Sequence, residues 1–296
     1  MANGIVHFGI APINWNNDDM PELGANYTIE MILSEMSQAG YVGTEIGNKY
    51  PKDAIELKNI LESNGLDLAS SWHSTFFVSN DLDSEMQKLE KKISMLRIVG
   101  ANVVNIAECT SSIHSSIHTP LSQKPILSDK DWSHLMVSLQ KAGEVCHSND
   151  IQMAYHHHMG TCVQTIEEIK TLLDDTDPVL VNLCADTGHL KFAGIDPAEF
   201  FKEYMDRIKH VHFKDIRVDV FNDLIPEKDS FLRSVLKGVF TVPGDGCLDF
   251  VTISEILKGS NYEGWIIVEA EQDPRKADPL DHAIRSHDYL KNIWVE

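Results

Sequence analysis

Two imidazoles and two carboxylates, His156, Asp186, His212 and Glu269, stand at or near the C-terminal ends of four apolar stretches: Ile151–His158 (IQMAYHHH), Val179–Asp186 (VLVNLCAD), Ile208–Lys214 (IKHVHFK) and Gly264–Glu269 (GWIIVE). Imidazole nitrogen and carboxylate oxygen are the donors that hold divalent transition metals. A metal so held stabilises negative charge that develops on a substrate oxygen. Acid–base groups lie close by in the chain. Lys214 follows His212 by two residues and so shares its strand face. It could hydrogen-bond a carbonyl oxygen or protonate a leaving group, or else form an ion pair with Glu271 or with neighbours of Asp215. His73 ends another short stretch and is the first choice for base or acid, with Glu45 and Glu271 in reserve. Candidate substrate contacts are Asn14, Trp15, Asn105, Glu108, His158, His189 and Glu271; Glu108 falls just past its strand and could turn either way. His189, three residues after Asp186 in DTGH, could touch substrate or hold a second metal. His157 has the opposite parity and reads as structural. The His114–His118 loop carries only a weak signal.

Residues so far apart in sequence meet only if regular elements bring them together. Eight strands are expected: Val6–Ile10, Tyr41–Ile46, Leu66–His73, Asn102–Ala107 and the four stretches above. Helical spacing lies between them, as in Met86, Leu89, Ile93 and Leu96, or Trp132, Leu135, Met136 and Leu139. Ser84 and Asp131 are expected as N-caps, and Gly40, Gly65 and Gly100 as left-handed helix ends. Alternating strands and helices with no Pro/Gly/Ser-rich linker predict a single (β/α)8 TIM-barrel domain over residues 1–296. A doubly wound open sheet would usually carry a Gly-rich loop after its first strand, and FGIAPINWNNDD has none. Strand residues alternate faces. In the last four strands the more polar face carries His156, Asp186, His212 and Glu269, all at C-terminal ends, where barrel active sites form. The same alternation turns Ala69, Ser71 and His73 inward.

A net charge of −20 disfavours nucleic acid and anionic membranes and suits a small neutral ligand. Five cysteines with no C-x-x-C spacing, no signal-like N-terminus and no membrane-length apolar run predict a cytoplasmic protein. A homo-oligomer is compatible with this composition.

DTGH, VHFKD, VPGDGCLDF and GWIIVE, in this order, resemble the xylose isomerase-like TIM barrel superfamily. FGIAPINWNNDD, GTEIGNKYP, SSWHSTF and YHHHMGT are more narrowly similar to its inosose dehydratase group. The resemblance covers nearly the whole chain. It implies metal ligation by Asp186, His212 and Glu269. The fourth ligand of the superfamily is a Glu, whose place falls on His156, so this cage carries one less negative charge. It further implies cobalt or manganese, a requirement for glutathione, and the loss of water from scyllo-inosose, a neutral polyol-ketone of inositol catabolism. The alternative on the same barrel is a sugar isomerase or epimerase, which would keep the Glu. A nuclease would need a basic surface, and a non-catalytic binding protein would not need the inward polar set.

Overall fold

The computed structural model describes residues 5–295. Its strands are β1 (Val6–Ile10), β2 (Gly43–Glu45), β3 (Asp67–Ser70), β4 (Trp72–Thr75), β5 (Val103–Glu108), β6 (Gln152–His156), β7 (Asn182–Asp186), β8 (Ile208–Phe213), β9 (Asp215–Ile216), β10 (Phe240–Thr241) and β11 (Gly264–Val268). Nine of them form one sheet in the order β3-β2-β1-β11-β8-β7-β6-β5-β4, with every pairing parallel. Only Ser71 separates β3 from β4, so the two ends of this order meet at one residue and the ring closes. Ser71 spans the junction by accepting from Asn105 N at 3.0 Å. Helices fill the crossovers, giving the expected (β/α)8 barrel. The expected third strand is the split pair β3 and β4. The other seven hold: Val6–Ile10 is unchanged, the fourth starts one residue later and runs on to Glu108, and the rest have trimmed ends, with Val179, Leu180 and Val181 lying before β7 rather than in it.

The outward faces of the strands pack under the helices in one large core that includes Leu68, Ile106, Tyr155, Leu183, Val211 and Val268. Each such aliphatic side chain contributes roughly 1.5–3 kcal/mol on burial. Inside the barrel Ala69 and Ile267 form a small cluster with Ala11, and Trp265 packs beside them. Gly43 is required there, because a Cβ would come within 2.3 Å of the Trp265 indole. A second core covers the C-terminal mouth. It gathers Met20, Leu23, Leu121, Met159, Ile216, Phe231 and Phe240 from four different strand-to-helix connections.

Two capping expectations are corrected. The helix Leu82–Val99 is capped by Asp81, whose carboxylate accepts from Ser84 N, and Asp129–His147 by Ser128, whose hydroxyl accepts from Asp131 N. In both cases the expected residue is the third of its helix, one turn too late. Gly40, Gly65 and Gly100 do adopt positive φ. Among the described residues, no helix is long and apolar enough to cross a membrane.

Candidate metal centre and active site

A cavity of about 400 Å³ opens at the C-terminal mouth. His156, Asp186 and His212 end or nearly end β6, β7 and β8, and Glu269 follows β11 directly. His156 Nε2 lies 3.2 Å from His212 Nδ1 and 3.8 Å from Asp186 Oδ2. His212 Nδ1 is 3.7 Å from Asp186 Oδ2 and 3.0 Å from Glu269 Oε2. Asp186, His212 and Glu269 thus bring donor atoms within 4.8 Å of one another, and His156 adjoins them through His212 and Asp186.

Local sequence explains how Asp186 is aimed. It caps the helix Thr187–Phe192, with Oδ1 accepting from His189 N at 2.8 Å. The cap pins one oxygen, and Oδ2 is left buried without a hydrogen-bond partner, facing the other donors. A buried carboxylate oxygen with no donor is costly unless a cation completes it. That oxygen, two imidazole nitrogens and the Glu269 carboxylate fit a divalent transition metal. The next strand supplies a fixed cation. Lys214 is fully buried, its Nζ lying 3.5 Å from Asp186, 2.6 Å from Glu269 and 2.9 Å from Glu271. Its stem crosses Gly188, where a Cβ would come within 2.6 Å of Lys214 Cγ; the glycine of DTGH makes room for the lysine of VHFKD. Burial works against the ammonium, but these three carboxylates hold its pKa well above the ordinary lysine range. Burial, opposed by Lys214 and reinforced by Glu269, lifts the Glu271 carboxyl to about 7.

Residues 33–293 match the family described as xylose isomerase-like TIM barrel. An inosose dehydratase of Clostridium tetani (strain Massachusetts / E88) is 47% identical over 287 residues, covering 97% of this chain and 96% of that protein. One of Geobacillus thermodenitrificans (strain NG80-2) is 45% identical with the same coverage. The chain belongs to the inosose dehydratases of the xylose isomerase-like TIM barrel family. Solved structures share the fold at low identity. An L-ribulose 3-epimerase superposes with a TM-score of 0.71 at 15% identity, covering 98% of this chain and 95% of that one. A probable 3-DHS dehydratase from Bacillus anthracis gives 0.68 at 14%, covering 97% and 99%.

The remaining expected site residues divide. Glu45, Asn105, His158 and Glu271 line the cavity with His156, His212 and Glu269. His189 closes in from behind: its Nε2 is 3.2 Å from Lys214 Nζ and 4.0 Å from Glu271, and its ring centroid is 3.9 Å from that of His158. Burial, and then the neighbouring imidazoles, depress the pKa of both His158 and His189 well below the usual histidine range. Asn14 accepts from Ala270 N at 2.9 Å, bracing the chain just beyond Glu269.

The structure turns three candidates away. Trp15 is wholly buried in the outer core, donating to Glu35 at 2.5 Å. Glu108 accepts from Thr75 Oγ1, Phe77 N and Thr110 N, tying down the chain after β4. Its three-residue offset from inward Asn105 places it on the opposite face. His73 pairs in register with Ile106, a residue of the outer core, and is not part of the cavity wall. Burial, with the ammonium groups of Lys92 and Lys88 adding to it, depresses its pKa to about 4. The cause is a bulge. Thr44 pairs with Leu68 but Glu45 pairs with Ser70, so Ala69 is an extra residue. One inserted residue reverses the facing of all that follow. Trp72 and Ser74, not His73, therefore face the cavity.

Lys92 also reaches the cavity wall, from the helix Leu82–Val99, and donates to Ser71 Oγ at 3.0 Å. It lies in a helix face dense with charge and has no sequence signal. Asp18, Asp19 and His114 complete the mouth. Of these, only His114 carries a sequence signal, and a weak one. His157 behaves as its parity implies, its Nε2 accepting from Asp186 N at 3.3 Å behind the cage.

Proposed function

We propose that the chain is a metal-dependent hydro-lyase that removes water from scyllo-inosose (2-keto-myo-inositol) to give a trihydroxycyclohexane-dione. The curated relatives are named inosose dehydratases at 45% and 47% identity over 97% of the chain, and the cavity suits a small polyol. The observation that carries the reading is the gathering of His156, His212 and Glu269 near the Asp186 oxygen that accepts no hydrogen bond. A divalent ion bound there would polarise the substrate ketone and so acidify the neighbouring C–H.

The chain's own groups handle the proton. Glu271 Oε1 accepts it from the carbon next to the ketone, and the electron pair released forms the new carbon–carbon double bond as the hydroxyl on the next carbon departs. Lys214 Nζ, 2.9 Å from Glu271, donates a proton to that leaving hydroxyl and is reprotonated from Glu271. Proton and hydroxide leave together as water, and the enol product tautomerises to the dione. Neutral His158 offers a hydrogen bond to the ring hydroxyls, as do Ser74 and Asn105, while His189, with both ring nitrogens engaged by Met159 N and Lys214 Nζ, braces Lys214 from behind. Trp72 supplies an apolar wall. Asn14 has no direct substrate contact in this scheme; it positions Glu269 and Glu271 through Ala270.

Manganese or cobalt suits this donor set. Glutathione rests on the family resemblance alone, as a reductant suited to a chain whose five cysteines are free. Free thiols also accord with a cytoplasmic location, and a neutral substrate with the charge of −20.

The test is an anaerobic assay with scyllo-inosose, run before and after chelation, with elemental analysis of the protein. We expect dione formation that disappears on chelation and returns with Mn(II) or Co(II). Undiminished water loss from metal-free protein would overturn the mechanism.

A further inference from the structure

We propose that Glu45 is a positioning residue that orients the His212 ring for metal binding, and that it transfers no proton to or from the substrate. The inference rests on the cage described above. A single oxygen, Glu45 Oε1, receives four donors: His210 Nε2 at 2.8 Å, His212 Nε2 at 3.1 Å, Asn105 Nδ2 at 2.9 Å and Ser70 Oγ at 2.5 Å. These come from β8, β5 and β3, while Glu45 itself ends β2. The carboxylate is thus a tie across the barrel, held at the depth of the cage. Ser70 faces it only because the bulge at Ala69 turns that residue inward.

The consequence falls on His212. Its Nε2 is engaged by Glu45, and its other nitrogen, Nδ1, faces His156, Asp186 and Glu269 at 3.2, 3.7 and 3.0 Å. An imidazole that donates through one nitrogen presents the lone pair of the other, and a carboxylate acceptor makes that lone pair a better ligand. An oxygen already receiving four donors is poorly placed to collect a substrate proton. Glu45 therefore acts through His212, and the tie accounts for a buried acid in a wall otherwise suited to polyol contact.

Chelator competition with Mn(II) and Co(II) tests this on wild type, Glu45→Gln and Glu45→Ala, alongside the visible absorption of bound Co(II), which reports ligand geometry. Loss of a partner behind a metal-binding imidazole typically weakens affinity by about 10–100-fold. We expect that loss in Glu45→Ala with an altered Co(II) spectrum. A smaller loss is expected in Glu45→Gln, which keeps an acceptor for His212. Should Glu45→Ala fail to fold, Glu45→Gln decides by the same measurements. Wild-type affinity and spectrum with collapsed turnover in the variants would make Glu45 a proton-transfer group and overturn the proposal alone. A wild-type protein that holds neither ion would instead overturn the cage and this proposal together.

Discussion

Lys214 is the residue on which the charge balance of the site turns. An ammonium and three carboxylates share one buried volume, at 2.6, 2.9 and 3.5 Å. Removing ions from water costs several kcal/mol each, and removing one partner from a buried set is worse than never having built it. Lys214→Met is expected to destabilise the metal-free protein by on the order of 3–5 kcal/mol in urea unfolding. Saturating Mn(II) should recover part of the loss, because binding to the folded state alone stabilises it. An unchanged midpoint in Lys214→Met would mean that the carboxylates are not held by this ammonium. The pairing with Glu271 was one of two partners its position allowed; the additional contacts with Asp186 and Glu269 come from strand ends that sequence spacing cannot relate.

At the scale of elements, the extra residue at Ala69 decides which groups of the third barrel position can do chemistry. Simple alternation from Ala69 makes His73 a base or acid; the bulge turns it toward Lys92 and Glu85 on the covering helix. That placement has a pH signature. Burial, with nearby Lys92, lowers the folded-state pKa of His73 from 6.5 to about 4. Between those values the unfolded chain binds more protons, so stability rises with pH and is lost as pH falls from about 6.5 toward 4. The full contribution is about 3 kcal/mol. His73→Gln is expected to flatten this part of the acid limb in equilibrium unfolding while leaving metal content and turnover near wild type. A collapse of turnover with intact fold and metal would return His73 to the active site. In the last four strands the register shift between Leu183 and Cys184 comes before the site residues, so the alternation from Cys184 to Asp186 and from His210 to His212 is unbroken. Even at the irregularity between Leu183 and Cys184, Asp186 still pairs with His212.

For the whole molecule, the net charge of −20 sets the long-range field. Such a field steers charged ligands and leaves a neutral one almost untouched. The KM for scyllo-inosose should therefore change by less than about twofold between about 0.05 and 0.5 M salt, a range over which exposed charges become strongly screened. A steep salt dependence in steady-state kinetics would point to a charged substrate. The same whole-chain view explains the second core over the mouth. Four connections contribute to it, so the roof of the cavity is made from segments with no shared local pattern.

By itself the sequence determined the alternation of strands and helices, the inward face of the last four strands and hence the types of the four cage donors, because side-chain periods of two and 3.6 residues are written locally. Only the tertiary structure decided the insertion at Ala69, the outward turns of Trp15, His73 and Glu108, the approach of Lys92 through the wall, and the four donors gathered on one oxygen of Glu45. Each depends on pairing between segments distant in the chain, and the energy of such a pairing belongs to neither segment alone.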